Sequence, residues 1–396
     1  MTILIDIRPL MDERYSGVAE YTSRLLTALF SIDHENQYIL LCNAFSGGRE
    51  LNFDYQNVRI VTKHIPNRIL NYPLLWLLHR PRFDKWVGRN LPAGRQEVDV
   101  FFMPHLNYFA VSKKVKTVIA VHDLSFLIHP EFFSAWKNLW HFFIDAKRLV
   151  RRFDRVVVFS EHSKRDVYDL CKIDEGKIKI IHSGIDESFK KLTTDSPDRE
   201  RIKTKYNLQK PFILFLGTIE PRKNVEGLVD AFNFLKKEEK HKNLQLVLAG
   251  GRGWKSGPIF KHIKSSPYAS DIIFLDYVDE QDRPALYNLA KVFAFPSFYE
   301  GFGFPPLEAM ACGTPVIAAA ASSLPEVVGQ AGILVDPYNV TSIALGLDQV
   351  LANPELAKSL SQKGLEQAKK FNWLTTARDY LKLFHDLCQP HKNNLL

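Results

Sequence analysis

Along the chain, short runs of consecutive apolar residues alternate with longer segments whose apolar residues recur at helical spacing. Residues 2–7 (TILIDI) read as a first strand, and residues 17–31 place Leu25, Leu26 and Leu29 on one helical face. Strand-like runs follow at 37–42, 58–62, 98–104, 117–123 and 155–160. Helices are predicted over 134–152 and 161–171, and a further strand over 177–186. Several of these runs are apolar throughout rather than at every second position. That is the pattern of strands covered on both faces, and its alternation with helices predicts a parallel sheet.

Residues 187–210 interrupt the rhythm with a polar, charged stretch carrying Pro197, which reads as an interdomain linker with one exposed helix. The pattern then restarts. Strands are predicted at 211–217, 244–250, 272–278, 292–297, 314–319 and 332–336. Helices are predicted at 224–238, 306–313, 340–352, 354–369 and 373–388. Two successive α/β halves predict two Rossmann-like, doubly wound domains facing across a cleft, with the chemistry at the carboxyl ends of the strands.

Composition narrows the class. The chain has 396 residues, 46% apolar and 24% charged, which excludes disordered, collagen-like and coiled-coil proteins. No run approaches 18 consecutive apolar residues, so no transmembrane helix is expected. The first residues lack a basic segment followed by a long apolar one, so no secretory signal is expected either. Cys42, Cys171, Cys312 and Cys388 form no CxxC pair and read as reduced thiols of a cytoplasmic protein. Neither HExxH nor Asp-x-Asp occurs, and a bound metal is not expected.

The net charge of +8 is concentrated. Between Lys63 and Arg95 lie seven basic residues and one acid, interleaved with Tyr72, Trp76, Phe83 and Trp86. A second basic and aromatic stretch runs from Trp136 to Arg155. Such mixtures suit an anionic membrane surface or, alternatively, a solvated face beside core aromatics. No nucleic-acid motif accompanies the charge.

Four segments carry candidate chemistry. In YEGFGFPPLEA (299–309), Glu300 and Glu308 stand eight residues apart around two glycines, just after a buried strand. A helix beginning near Pro305–Pro306 would place Glu308 in its first turn, where a carboxylate can accept from sugar hydroxyls. In FLGTIEPRKN (215–224), Arg222 and Lys223 follow a strand end, where adjacent cations suit a diphosphate and Asn224 could cap the next helix. His122 and Asp123 end the strand of AVHDLSF. Gly17 follows strand 1 and could bring backbone N–H groups to a phosphate, although no GxGxxG is present. AGGRGW (249–254) is glycine-rich but lacks the GK[ST] of a Walker A loop.

Taken together, HDLSF, SEHSKRD, HSGID, GTIEPRKN, LAGGRGW, YVDEQDRPALYNLA and FAFPSFYEGFGFPPLEAMACGTPVIAA resemble the family 4 glycosyltransferases, which are retaining enzymes of the two-Rossmann GT-B type. The wording is most similar to the mannosyltransferase branch, and Glu300 through Glu308 match the family's Glu-x7-Glu signature. The resemblance implies that Arg222 and Lys223 hold the donor diphosphate. Glu308 would bind the ribose hydroxyls and Glu300 the transferred sugar. Backbone over Phe302, Gly303 and Phe304 would touch phosphate and sugar. His122 would face the anomeric carbon, Gly17 the diphosphate, and Arg252, Tyr277 and Val278 the base. The family's N-terminal Gly-Gly pair is here Ser16-Gly17.

The expected division is residues 1–190, rejoined by a returning C-terminal helix at 373–390, and residues 191–372 as the donor-binding domain. The expected activity is hexosyl transfer, with mannose from GDP-mannose favoured, to a saccharide or lipid-linked saccharide in cell-surface polysaccharide synthesis. No cofactor and no metal are expected, and the location is cytoplasmic, possible membrane contact being peripheral. The rival readings are a GT-B-fold sugar-nucleotide epimerase, a phosphorylase, and a non-catalytic sugar-nucleotide sensor.

Overall fold

The computed structural model describes residues 1–11, 17–43, 53–65, 80–88 and 97–389. Contacts divide the chain into two units. Unit 1 comprises residues 1–124, 139–184 and 372–396, and unit 2 comprises residues 125–138 and 185–371. The placing of 125–138 with unit 2 has no counterpart in the sequence pattern.

Unit 1 is built on a seven-stranded sheet of β1 (Thr2–Asp6), β2 (Gln37–Asn43), β3 (Val58–Lys63), β4 (Val100–Met103), β5 (Lys116–Ala120), β6 (Arg155–Val158) and β7 (Ile178–Ile180). The order is β3-β2-β1-β4-β5-β6-β7, parallel throughout. The direction of winding reverses between β1 and β4. Ile3, Leu4, Ile5, Val100, Phe101, Phe102, Val118 and Ile119 are fully buried, the expected result for strands covered on both faces.

Helix Trp373–Cys388 belongs to this unit. The Tyr380 and Tyr21 hydroxyls lie 2.6 Å apart, joining it to helix Gly17–Ile32. Thr376 donates to the His182 carbonyl, and Phe102 packs on the rings of Tyr380 and Phe384. A Cβ at Gly184 would stand 2.3 Å from the Trp373 nitrogen, so only glycine allows the two backbones to meet there.

The predicted helix over 134–152 is two helices, Ala135–Ile144 and Ala146–Arg151. Asp145 takes a left-handed conformation between them (φ 45°) and its carboxylate caps the second by accepting from the Arg148 N–H. A helix-period pattern continues through such a break because each half keeps its own apolar positions.

Unit 1 also buries a titratable group that bears on stability. His105, two residues past β4, lies 3.8 Å from Asp6, while Asp6 pairs with Arg8 at 2.5 Å. Burial pushes the His105 imidazole down to about 4, against the pull of Asp6. The unfolded imidazole titrates near 6.5, so in between the unfolded chain binds a proton that the folded one refuses. This contribution is complete above the unfolded value. It is lost as the pH falls toward 4, by as much as about 3 kcal/mol. Urea unfolding at neutral pH and at about pH 4.5 should therefore show a smaller acid loss for His105→Gln than for the parent chain. Equal losses in the two proteins would refute the assignment.

Unit 2 is built on a six-stranded sheet of β8 (Phe212–Leu216), β9 (Gln245–Ala249), β10 (Ile272–Asp276), β11 (Val292–Phe295), β12 (Val316–Ala319) and β13 (Gly332–Val335). The order is β10-β9-β8-β11-β12-β13, again parallel, with Val292 beside Ile213 and Phe293 beside Leu214. The winding reverses between β8 and β11, so the loops leaving those two adjacent strands start side by side at their carboxyl ends, where doubly wound folds place their sites.

The stretch 187–210 is not a detached linker. Its helix Pro197–Lys205 buries Ile202, and Arg201, Lys205 and Tyr206 all converge on the buried Asp282 carboxylate. Helices Ser256–Ser265, Arg283–Leu289 and Leu324–Val328 also escaped the sequence pattern, the last for being only five residues long.

Candidate active site

The loops after β8 and β11 meet at the reversal point of the unit 2 sheet. Three features bring them together. The Phe298 N–H donates to the Arg222 carbonyl at 2.9 Å. The Asn224 side chain donates to the Pro296 carbonyl at 3.1 Å and to the Pro337 carbonyl at 2.7 Å. Asn224 therefore does not cap the following helix through its side chain, as the sequence had indicated. Its left-handed backbone (φ 54°) turns the chain while its amide ties three loops.

The third feature is a cluster of four charges. Lys223 Nζ lies 2.6 Å from Glu300 Oε1. Arg222 donates to Glu300 Oε2 at 2.9 Å, to the Tyr299 carbonyl at 2.7 Å and to Glu220 Oε1 at 3.1 Å. Glu220, Lys223 and Glu300 are buried, and the Arg222 side chain is 14% exposed. Two cations thus lie between two carboxylates, and the cluster is close to neutral.

The cluster shifts its own titrations. Burial raises Glu220 above the usual carboxylate range despite Arg222 and Lys223. Burial acts the same way on Glu300, but there Arg222 and Lys223 prevail and hold the carboxyl low. Burial, with Arg222 alongside, lowers Lys223. Glu220 was not among the expected site residues. The signal for it was its place two residues before Arg222, on the same strand-end loop.

Glu300 is further fixed through its backbone. Its N–H donates to the Ser322 hydroxyl at 2.8 Å, and the Ser323 hydroxyl donates to the Glu300 and Phe302 carbonyls. The two serines follow β12 and were missed because serine after a strand reads as an ordinary turn. Gly303 (φ 126°) starts the helix Phe304–Ala311 in a conformation that side chains resist, and a Cβ there would stand 2.9 Å from Leu324.

Glu308 differs from expectation. The helix begins at Phe304, one residue before the prolines, so Glu308 falls in its second turn, and the first turn carries no acid. Its carboxylate is buried and accepts from the Tyr287 hydroxyl at 2.7 Å. Pro305 holds the second helical position, where a missing N–H is harmless, and this is what lets the helix start early.

The remaining candidates are spread around this centre and in unit 1. The Arg252 guanidinium lies over the Phe260 ring at 4.4 Å, in the loop after β9. That loop passes close to the one after β8, since a Cβ at Gly250 would fall 2.1 Å from the Gly217 carbonyl. Beyond β10, Tyr277 is exposed and Val278 buried. Phe302 packs beside Phe304 and Phe371.

In unit 1, His122 follows β5. Its Nε2 lies 2.8 Å from the Pro104 carbonyl, which can only accept, so Nε2 carries the proton and Nδ1 is left as the acceptor. Burial lowers its pKa, against the Pro104 contact and Asp123. Tyr21 and Phe159 box the ring at 4.9 Å each. Gly17 is the first residue of helix Gly17–Ile32, and a Cβ there would meet nothing within 4 Å. Residues 12–16 before it, including Ser16, lie outside the described residues, as does most of the basic window from Lys63 to Arg95.

Among the described residues, Glu238, His241 and Asp348 could present three ligand atoms to a metal. Lys240 Nζ stands 2.7 Å from Asp348 and 3.0 Å from Glu238, so an ammonium already supplies positive charge there.

Known proteins bear on this arrangement. The family model for Glycosyltransferase Family 4 matches residues 15–189, and that for Glycosyl transferases group 1 matches residues 197–367. The chain is 31% identical over 303 residues to O-antigen chain mannosyltransferase B of Escherichia coli, covering 75% of each protein. It is 31% identical over 295 residues to the serotype-specific mannosyltransferase WbdA of Escherichia coli, with 73% of this chain matched but only 36% of that longer relative. Among solved structures, sucrose-phosphate synthase of Thermosynechococcus elongatus superposes with a TM-score of 0.74 at 20% identity over 98% of both chains. With two all-parallel Rossmann-like units and both family models matched in succession, the chain belongs to glycosyltransferase family 4, has the GT-B architecture, and is a glycosyltransferase.

Proposed function

We propose that the protein is a retaining mannosyltransferase that uses GDP-mannose, without a metal ion, to extend a saccharide or lipid-linked saccharide in cell-surface polysaccharide synthesis. The observation that carries this reading is the buried cluster of Arg222, Lys223, Glu220 and Glu300 at the sheet reversal. The sugar and the pathway are supported by the names of the two Escherichia coli relatives.

Glycosyl transfer breaks the bond between the anomeric carbon and a phosphate oxygen. Positive charge builds on the sugar ring and negative charge on the departing diphosphate. Arg222 and Lys223 are held in place before the substrate arrives, so they meet that negative charge without reorganising, which is where preorganised cations gain most. On donor binding the phosphates take over the cations. Glu300 then turns from ion-pair partner to acceptor for sugar hydroxyls. Glu220 keeps its hold on Arg222 and orients the guanidinium. Glu308, fixed by Tyr287, accepts from the ribose hydroxyls, and Gly303 with Phe302 and Phe304 lets backbone approach the phosphate. Arg252, Tyr277 and Val278 line the base. In unit 1, His122, protonated on Nε2, keeps Nδ1 as an acceptor, and Gly17 opens a helix N-terminus; their roles toward sugar and diphosphate are those that the family resemblance implies. Retention follows from attack by the acceptor on the face that the diphosphate leaves.

Calorimetric titration with GDP, UDP and ADP in the presence of EDTA tests the donor. GDP should bind at least about tenfold more tightly than the other two, a difference of roughly 1.4 kcal/mol. A preference for UDP would overturn the donor and keep the enzyme class. Release of GDP from GDP-mannose only when acceptor is present would exclude the epimerase and the sensor.

A further inference from the structure

The last helix of the chain packs within unit 1, and one of its side chains reaches the surroundings of His122. Within helix Trp373–Cys388, Trp373, Ala377, Tyr380 and Phe384 recur at i, i+4, i+7 and i+11 and so share one face. In helix Gly17–Ile32, Tyr21 stands one turn before the buried Leu25. Tyr21 and Tyr380 are both fully buried, and each finds the other's hydroxyl at 2.6 Å. Burial raises both phenols above their ordinary value, so both stay neutral and one hydroxyl donates to the other.

Tyr21 is also a wall around His122. Its ring meets the imidazole edge-on, with centroids 4.9 Å apart and planes at 88°. Phe159, directly after β6, closes a second side at 4.9 Å and touches Tyr21 at 4.8 Å. The Pro104 carbonyl accepts the Nε2 proton. Tyr21 is held in turn by the Trp373 ring at 5.6 Å and by Tyr380, which sits between Phe102 at 5.0 Å and Phe384 at 5.8 Å. The imidazole itself is only half-buried.

We propose that Tyr21, anchored by Tyr380 of the last helix, is a positioning residue for His122. One hydrogen bond to Pro104 fixes one nitrogen and leaves the ring free to swing about it. The Tyr21 edge and Phe159 fix the plane, and with it the direction in which Nδ1 points. The hydroxyl pair adds little net stability over two phenylalanines of the same shape, since both phenols leave water to make a single hydrogen bond. What it adds is a fixed tilt for the Tyr21 ring. The inference rests on the reading of His122 as the residue that faces the sugar. Misplacing such a group by about 1 Å costs on the order of 100-fold in rate.

Nitrogen NMR on the whole chain with labelled histidine reads the ring directly, His122→Gln identifying its signals. The parent should show one protonated and one bare nitrogen, the pattern of a single tautomer. In Tyr21→Leu the two signals should move toward each other as the freed ring samples both tautomers. The kcat for sugar transfer should fall about 10- to 100-fold, with the donor KM within about twofold. Tyr21→Phe keeps the ring and should keep the tautomer, with kcat within about fivefold of the parent. Tyr380→Phe strands the Tyr21 hydroxyl, so Tyr21→Phe/Tyr380→Phe should lose less than the two single losses combined. These phenylalanine variants keep every ring and carry the test even where Tyr21→Leu fails to fold. Unchanged His122 signals in a folded Tyr21→Leu chain would overturn the proposal, and additive losses in the phenylalanine variants would overturn the anchoring. So would full kcat in Tyr21→Leu beside a His122→Gln chain that has lost turnover. A His122→Gln chain that transfers sugar at the parental rate would overturn the reading of His122 itself, and the proposal with it.

Discussion

Lys223→Ala should lower kcat/KM for sugar transfer by about 100- to 1,000-fold, equivalent to roughly 3–4 kcal/mol of transition-state stabilisation. The ammonium is buried, sits 2.6 Å from Glu300 and lies 4.9 Å over the Phe295 ring. In that dry setting a cation aimed at a departing phosphate is worth far more than on the surface. The loss should fall mainly on kcat, because charge on the phosphate grows as the bond breaks. The substitution also leaves Glu300 with Arg222 as its remaining cation in the cluster, which costs stability. The melting temperature must therefore be read beside the kinetics. A folded variant with kcat within about threefold of the parent would remove Lys223 from the chemistry.

Glu300→Gln should separate binding from turnover in opposite directions. The carboxylate now neutralises Arg222 and Lys223 through contacts of 2.9 and 2.6 Å. With an amide in its place the cations are freer to hold phosphate, so GDP should bind about tenfold more tightly, roughly 1.4 kcal/mol. Turnover should fall by about 100-fold, because a neutral amide makes a weaker acceptor for the sugar hydroxyls than a carboxylate. Titration with GDP and single-turnover transfer measure the two effects separately. Weaker GDP binding would mean that the carboxylate organises the cations rather than competes for them. Unchanged turnover would mean that it never reaches the sugar. Folding should tolerate the change, since the amide keeps the shape and can still accept from Arg222.

The two predictions depend on residues whose types were legible and whose meeting was not. Arg222 and Lys223 stood out because two cations follow a buried strand, and Glu300 because it follows another. Arg222 and Glu300 stand 78 positions apart and are brought together by the order of strands, which sets β8 beside β11 where the winding reverses. Strand order is a long-range property that hydrophobic period does not carry. The same limit hid Glu220 as a partner of Arg222, Tyr287 as the clamp on Glu308, and Ser322 and Ser323 as the brace of Glu300. Each is a common residue type whose role exists only once a distant segment arrives.

Local errors had local causes. Asn224 reads as a helix cap because cap preference is a property of one turn, but its amide reaches Pro296 and Pro337, 72 and 113 positions away. Glu308 was placed one turn early because proline marks the first helical turn without saying which residue of it. The single helix over 134–152 broke at Asp145, where a side-chain cap outweighed the continuing period.

By itself, the sequence determined the class of this protein. Uninterrupted apolar runs require strands buried on both faces, and their alternation with helices requires parallel sheets. The motifs spread from residue 122 to residue 319 were specific enough to place it among the family 4 glycosyltransferases. Only the tertiary structure decided that the two cations are balanced by two buried carboxylates, that residues 125–138 pack with unit 2, and that Asp145 divides the helical segment after them in two. Periodicity reports which side of an element is apolar. What lies against that side is settled by segments far away in the chain.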